Sequence, residues 1–176
     1  MQVLIKDLKN HLGETVEING WVSNLRSSGK IAFWQVRDGS GFAQAVLSSD
    51  NLNEEKWALV NSVTQESSVQ ISAEVTKHPK KEEYELQVSD LKIYQISEEW
   101  PIGNKDHGID FLMDNRHLWL RAKRQWAIQR VRNTLIQATY QYFGSHDFTK
   151  IDSPILTPNA GENTTDLFRV KYFDEE

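Results

Sequence analysis

The sequence predicts an α+β chain: a small five-stranded β-barrel over residues 1–97, a linker over 98–120, then a long helix and a strand within 121–176. Three observations carry this. Up to about Ile96, apolar and polar residues alternate in short runs, as half-buried strands do. Beyond Ala122 the apolar spacing changes to steps of three and four, the period of an amphipathic helix. Between the two patterns, Glu98 to Asp114 holds Pro101, Gly103 and Gly108 and reads as a hinge.

Thr15 to Val22 alternates, with Val16, Ile18 and Val22 on one face. A second run, Ile31 to Arg37, meets the turn Asp38-Gly39-Ser40-Gly41, and a third follows from Phe42 to Leu47, so the pair reads as a hairpin. Asn53 to Val63 is helix-like, with Trp57, Leu59, Val60 and Val63 as its apolar residues. Val69, Ile71, Ala73 and Val75 mark a fourth strand, and Tyr84 to about Tyr94 a fifth, on either side of the turn His78-Pro79-Lys80-Lys81. Five strands with one helix between the third and fourth is the order of an OB-fold, a Greek-key barrel that often binds oligonucleotides. Another small barrel with no nucleic acid fits the strand order equally well. In the second half, Ile128, Val131, Leu135, Ala138 and Tyr142 line one side of a helix from Ala122 to Phe143, about 33 Å long. Gly144 is its natural stop. Ile151 to Leu156 reads as a short strand that Pro154 confines to an edge or an end.

The hairpin yields the sharpest argument about chemistry. If the turn pairs Arg37 with Phe42, Gln35 faces Gln44 and Phe33 faces Val46. Phe33 and Gln44 then share one face as diagonal neighbours. Ala32, Trp34, Val36, Ala43, Ala45 and Leu47 make the opposite face, apolar throughout and suited to a core. An outward aromatic beside an outward amide, flanked by Arg26 and Lys30 in the preceding loop, can stack a base, read its edge and hold its phosphate. The alternative is that Phe33 packs under a loop and Gln44 is merely solvated.

Composition narrows the class. With 39 % hydrophobic and 26 % charged residues, the chain has material for a core and a hydrated surface. It holds no cysteine, which excludes disulfides and thiolate metal sites and agrees with a cytoplasmic protein. No apolar run approaches the roughly 18–20 residues of a membrane span, so no membrane partner is expected. A net charge of −5 argues against indiscriminate polyanion binding and leaves room for a local basic patch. Arg121, Lys123 and Arg124 form one such cluster, suited either to an RNA backbone or to Asp110 and Asp114.

Gly20-Trp21-Val22, Arg26, Gly29-Lys30, Phe33, Arg37-Asp38-Gly39 and Gly41-Phe42-Ala43-Gln44 resemble the anticodon-binding domain of class II aminoacyl-tRNA synthetases of the aspartyl, asparaginyl and lysyl subgroup. The resemblance implies that Arg26, Lys30, Phe33 and Gln44 contact the anticodon, with Phe33 stacking on its central uridine and Gln44 reading a base. Leu25 departs from the arginine often found there. Asp110 to Asp114 and Arg116-His117-Leu118-Trp119-Leu120-Arg121 resemble the asparaginyl members most.

The long helix with Phe148 to Leu156 resembles motif 1 of these enzymes, although Asp147 stands where glycine is usual and Ser153 where threonine is. That likeness implies a homodimer whose interface includes Ile128, Val131, Leu135 and Pro154. Glu162-Asn163-Thr164-Thr165-Asp166-Leu167-Phe168 resembles the following loop, which makes Glu162 the ligand of the amino acid's α-ammonium group. Asn163 replaces the usual glycine. Members of the family use ATP and Mg²⁺ to activate the amino acid and load it onto tRNA, with motifs 2 and 3 binding both. Neither motif occurs in these 176 residues. The implied reading is an asparagine–tRNA ligase for tRNA-Asn. Its front end lies in this chain, with no catalytic or metal-binding residue of its own and no cofactor expected on it. An aspartyl enzyme and a free-standing tRNA-binding module are the alternatives.

Overall fold

The computed structural model describes residues 1–79, 82–103, 105–156 and 170–171. The chain divides into two compact units, Met1–His107 and Gly108–Glu176.

In the first unit, a short 3₁₀ helix (Ile5–Asn10) precedes β1 (Thr15–Ser28), β2 (Ile31–Arg37), β3 (Phe42–Ser48), α1 (Glu54–Ser62), β4 (Ser68–Lys77) and β5 (Tyr84–Gln95). The strands close into a barrel in the order β1-β2-β3-β5-β4, all pairs antiparallel except β3 with β5. This is the OB-fold barrel expected from the strand order. Alternation sets its core: Val16, Ile18, Trp34, Val36, Ala45, Leu47, Val69, Ile71, Ala73 and Val75 are all buried. Val60 and Val63 of the α1 segment join them, while Leu59, expected among the apolar residues, is 40 % exposed.

β1 is longer than the alternation from Thr15 to Val22 predicts. Its first half pairs with β4, Thr15 to Trp21, and its second with β2, Trp21 to Ser28. A register shift between Val22 and Asn24 separates the halves and breaks the alternation, which hid the second half from sequence reasoning. Gly20 sits at this crossing: a Cβ there would lie 2.5 Å from the Arg37 carbonyl oxygen, too close for any other residue without a backbone shift. The hairpin turn is held by Asp38, whose carboxylate accepts from the Ser40 amide at 2.8 Å and the Gly41 amide at 3.1 Å. It also accepts from the Ile5 amide at 2.7 Å, tying the 3₁₀ helix to the turn.

The second unit contains α2 (Ile109–Asp114), α3 (Arg116–Trp119) and α4 (Lys123–Gly144). α2 therefore occupies the end of the segment read as a hinge and α3 lies in the rest of the linker, where Trp119 is half-buried. The long helix falls where the period predicted it, one residue later at each end. Gly144 is its last helical residue rather than its stop. The left-handed position comes at Asp147, φ 63°, which is where the resemblance calls for glycine; aspartate is among the few residues that tolerate that geometry. The strand expected over Ile151–Leu156 is not formed. A strand needs a neighbour for its backbone hydrogen bonds, and among the described residues this unit has none to offer. Glu162 and its loop lie outside the described residues.

Candidate nucleic-acid interface

The observed register is the one the turn predicted: Arg37 opposite Phe42, Gln35 opposite Gln44 and Phe33 opposite Val46. Ala32, Trp34, Val36, Ala43, Ala45 and Leu47 point into the barrel, and Phe33 and Gln44 point out as diagonal neighbours. Arg26 is not in a loop. It stands on the second half of β1, directly opposite Phe33, because the shift after Val22 carries the strand on.

That register brings three of the four expected residues together. The Arg26 guanidinium carbon lies 4.7 Å from the centroid of the Phe33 ring, and Arg26 Nη2 donates to Gln44 Oε1 at 3.4 Å. With Asn24 and Gln35 they line an open cleft of about 250 Å³. Lys30 is elsewhere: it lies in the β1–β2 turn, exposed, with Nζ 3.8 Å from Asp50 Oδ1. Exposed pairs of this kind hold little energy, so the ammonium can turn to another anion.

Sequence reasoning missed Glu85. Parallel pairing of β3 with β5 sets Gln44 beside Glu85, and Gln44 Nε2 donates to Glu85 Oε1 at 2.6 Å. Glu85 is 7 % exposed and lies 3.6 Å from His78 Nε2. Both ends of the Gln44 amide are thus engaged, the carbonyl by Arg26 and the amino group by Glu85. A second cleft of about 240 Å³, lined by Gln35, Gln44, His78, Tyr84 and Glu85 among others, opens on the other side of Gln44. Nothing in the sequence marks Glu85, since its partner is 41 residues away.

A second arginine, Arg37, lies on the same outer face with its guanidinium carbon 5.2 Å from the Trp21 ring centroid. Its role is structural: it pairs with Glu66, and both are largely buried. In the other unit, Ile128, Val131 and Leu135 are exposed along one side of α4, and Pro154 is exposed beyond its end.

An outward aromatic, an adjacent oriented amide and an exposed cation form a surface that suits an unpaired base. Residues 16–94 match a family model described as an OB-fold nucleic acid binding domain, the tRNA anticodon family. Residues 108–175 match a second model, tRNA synthetases class II (D, K and N). The chain thus joins an anticodon-type OB domain to a class II tRNA synthetase domain.

Solved structures agree with this pairing of domains. The chain is similar to asparaginyl-tRNA synthetase from Pyrococcus horikoshii complexed with asparaginyl-adenylate, at 30 % identity and a TM-score of 0.87, over 99 % of this chain and 41 % of that one. Against the Entamoeba histolytica asparaginyl-tRNA synthetase in complex with asparaginyl-adenylate, the values are 25 % and 0.77, again over 99 % and 41 %. A putative aspartyl-tRNA synthetase from Leishmania major Friedlin aligns at 25 % identity and a TM-score of 0.75, over 88 % of this chain and 34 % of that one. The chain spans about two fifths of the length of the synthetases it matches.

Proposed function

We propose that this chain provides anticodon recognition and part of the dimer interface of an asparagine–tRNA ligase. The observation that carries the proposal is the meeting of Arg26, Phe33 and Gln44 at one cleft on the outer face of an anticodon-binding OB domain. Phe33 stacks on a base of the anticodon and Gln44 reads its edge through one donor and one acceptor. Arg26 and Lys30 act on phosphate.

Asparagine is favoured over aspartate by the linker residues Arg116-His117-Leu118-Trp119-Leu120-Arg121 and by the two asparaginyl enzymes among the similar structures. The aspartyl neighbour at 25 % identity keeps the aspartyl reading as the alternative. The working division is a barrel over residues 1–97, a linker over 98–120 and the start of the catalytic domain over 121–176. Within the last part, Ile128, Val131, Leu135 and Pro154 meet a second copy, and Glu162 binds the α-ammonium group of the amino acid. The parent enzyme uses ATP and Mg²⁺ and acts in the cytoplasm. Among the described residues no cluster of acids and histidines could hold a metal ion, so no step is assigned to Mg²⁺ on these residues. Among them too, no helix is long and apolar enough to cross a membrane.

Binding of the chain to tRNA-Asn and tRNA-Asp transcripts, each with its own and with altered anticodons, tests the reading. Tighter binding of the tRNA-Asn anticodon, abolished in Phe33→Ala and Gln44→Ala, is expected. Equal affinity for every anticodon would refute it. Preference for the tRNA-Asp anticodon would move the assignment to the aspartyl alternative.

A further inference from the structure

The place proposed for a base is already filled in the free protein. A guanidinium is flat, carries N–H donors along its edge and stacks on aromatic faces. Arg26 uses both properties at once, lying 4.7 Å from the Phe33 ring centroid while donating to Gln44 Oε1 at 3.4 Å. A base stacked on Phe33 and read by Gln44 would need the same ring face and the same acceptor. Both groups cannot occupy them together.

We infer that Arg26 is a stand-in for the base: it covers Phe33 and Gln44 in the free protein, and the incoming nucleotide displaces it. The inference rests on the reading of Phe33 and Gln44 as the base-binding pair. Three observations support it. Gln44 Nε2 is held by the buried Glu85 at 2.6 Å, so its carbonyl stays aimed at the cleft whether a guanidinium or a base is there. Arg26 is exposed, and among the described residues no carboxylate pairs with it. The comparison with Arg37 on the same face is direct. That guanidinium also lies over an aromatic ring, yet the buried Glu66 locks it. Arg37 is built to stay and Arg26 is built to leave. Once displaced, the Arg26 cation is free for the phosphate of the nucleotide that moved it.

The test separates base from phosphate. Uridine, which has no phosphate, is titrated into the chain while the Gln44 side-chain amide is followed by NMR. Removing an exposed cation–π contact shifts an equilibrium roughly two- to five-fold, so Arg26→Ala is expected to bind uridine tighter than the wild type by about that factor. Equal or weaker uridine binding by Arg26→Ala overturns the inference, because Arg26 would then be neutral or a partner of the base. A second readout needs no ligand. Ring current from Phe33 displaces the Arg26 side-chain protons upfield in the free protein, and the displacement disappears in Phe33→Leu and on adding uridine; its absence in the free protein also overturns the inference. Failure of the wild type and of Arg26→Ala alike to bind uridine, with the ring-current displacement present, instead refutes the base-binding reading, and the stand-in role falls with it.

Discussion

Phe33 and Trp34 are neighbours in sequence, and alanine at each should damage a different property. Trp34 is 1 % exposed and sits among Val36, Ala45 and Leu47 inside the barrel. Trp34→Ala removes a bicyclic side chain from a closed core that cannot collapse around the gap, a loss of about 3–5 kcal/mol of stability. For a domain stabilised by about 5–15 kcal/mol in total, that is from about a fifth of the total upwards. Phe33 points the other way, half-buried on the outer face with Arg26 over its ring, so Phe33→Ala costs the fold roughly 1 kcal/mol or less. Its loss should appear in RNA binding instead. Stacking contributes about 1–3 kcal/mol per base, so the dissociation constant for the matching tRNA rises roughly 5- to 150-fold. Urea denaturation followed by tryptophan fluorescence reads the first quantity, and anisotropy of labelled tRNA the second. The salt dependence of binding should be unchanged in Phe33→Ala, since no charge is lost. If Phe33→Ala destabilises the barrel as much as Trp34→Ala while leaving tRNA affinity intact, the assignment of faces and of the stacking residue is wrong.

Three further outcomes follow from the same structure. Glu66→Ala leaves the buried Arg37 guanidinium without its carboxylate and should lower stability by about 3–5 kcal/mol in chemical denaturation, with anticodon preference retained. Gly20→Ala drives a methyl group to 2.5 Å from the Arg37 carbonyl oxygen and should cost about 1–3 kcal/mol, measured as a lower midpoint in thermal melting. The Asp90 carboxyl is held below the ordinary carboxylate range, chiefly by the hydrogen bond from Lys56, with the Leu91 amide and the Lys56 charge helping against desolvation. A carboxyl depressed in the folded state contributes stability above its unfolded pKa and loses it as pH falls through the folded value. Lys56→Met should therefore move the Asp90 titration upward by NMR and weaken the acid-side loss of stability. The pair is exposed, so its effect on stability at neutral pH stays small.

Much of the site was legible because a hairpin is local. The turn at Asp38–Gly41 specifies which residues face each other across the next few positions, and alternation then assigns each side chain to a face. That reasoning recovered the partnership of Phe33 with Gln44 and the whole inner face of β2 and β3. Arg26 was recognised as a participant but assigned to a loop, because the register shift after Val22 interrupts the alternation that marks a strand. Leu25, 37 % exposed, belongs to the same irregular stretch. The long helix was read nearly to its ends by its period, whereas Ile151–Leu156 has strand composition without a strand. Composition states a preference, and pairing needs a partner.

By itself, then, the sequence determined what is periodic or adjacent: five strands, the helix between the third and fourth, the hairpin register and the long helix of the second unit. Tertiary structure alone decided what depends on strands far apart in the chain. The closure of β1 onto β4, and the parallel meeting of β3 with β5, are choices among pairings that the alternation leaves open; barrel geometry and burial of one common core select them. Glu85 reaches Gln44 only through that selection, and Arg26 comes to lie over Phe33 only because β1 continues past its irregularity. Local pattern assigns a side chain to a face; the closed barrel determines which side chains of that face touch.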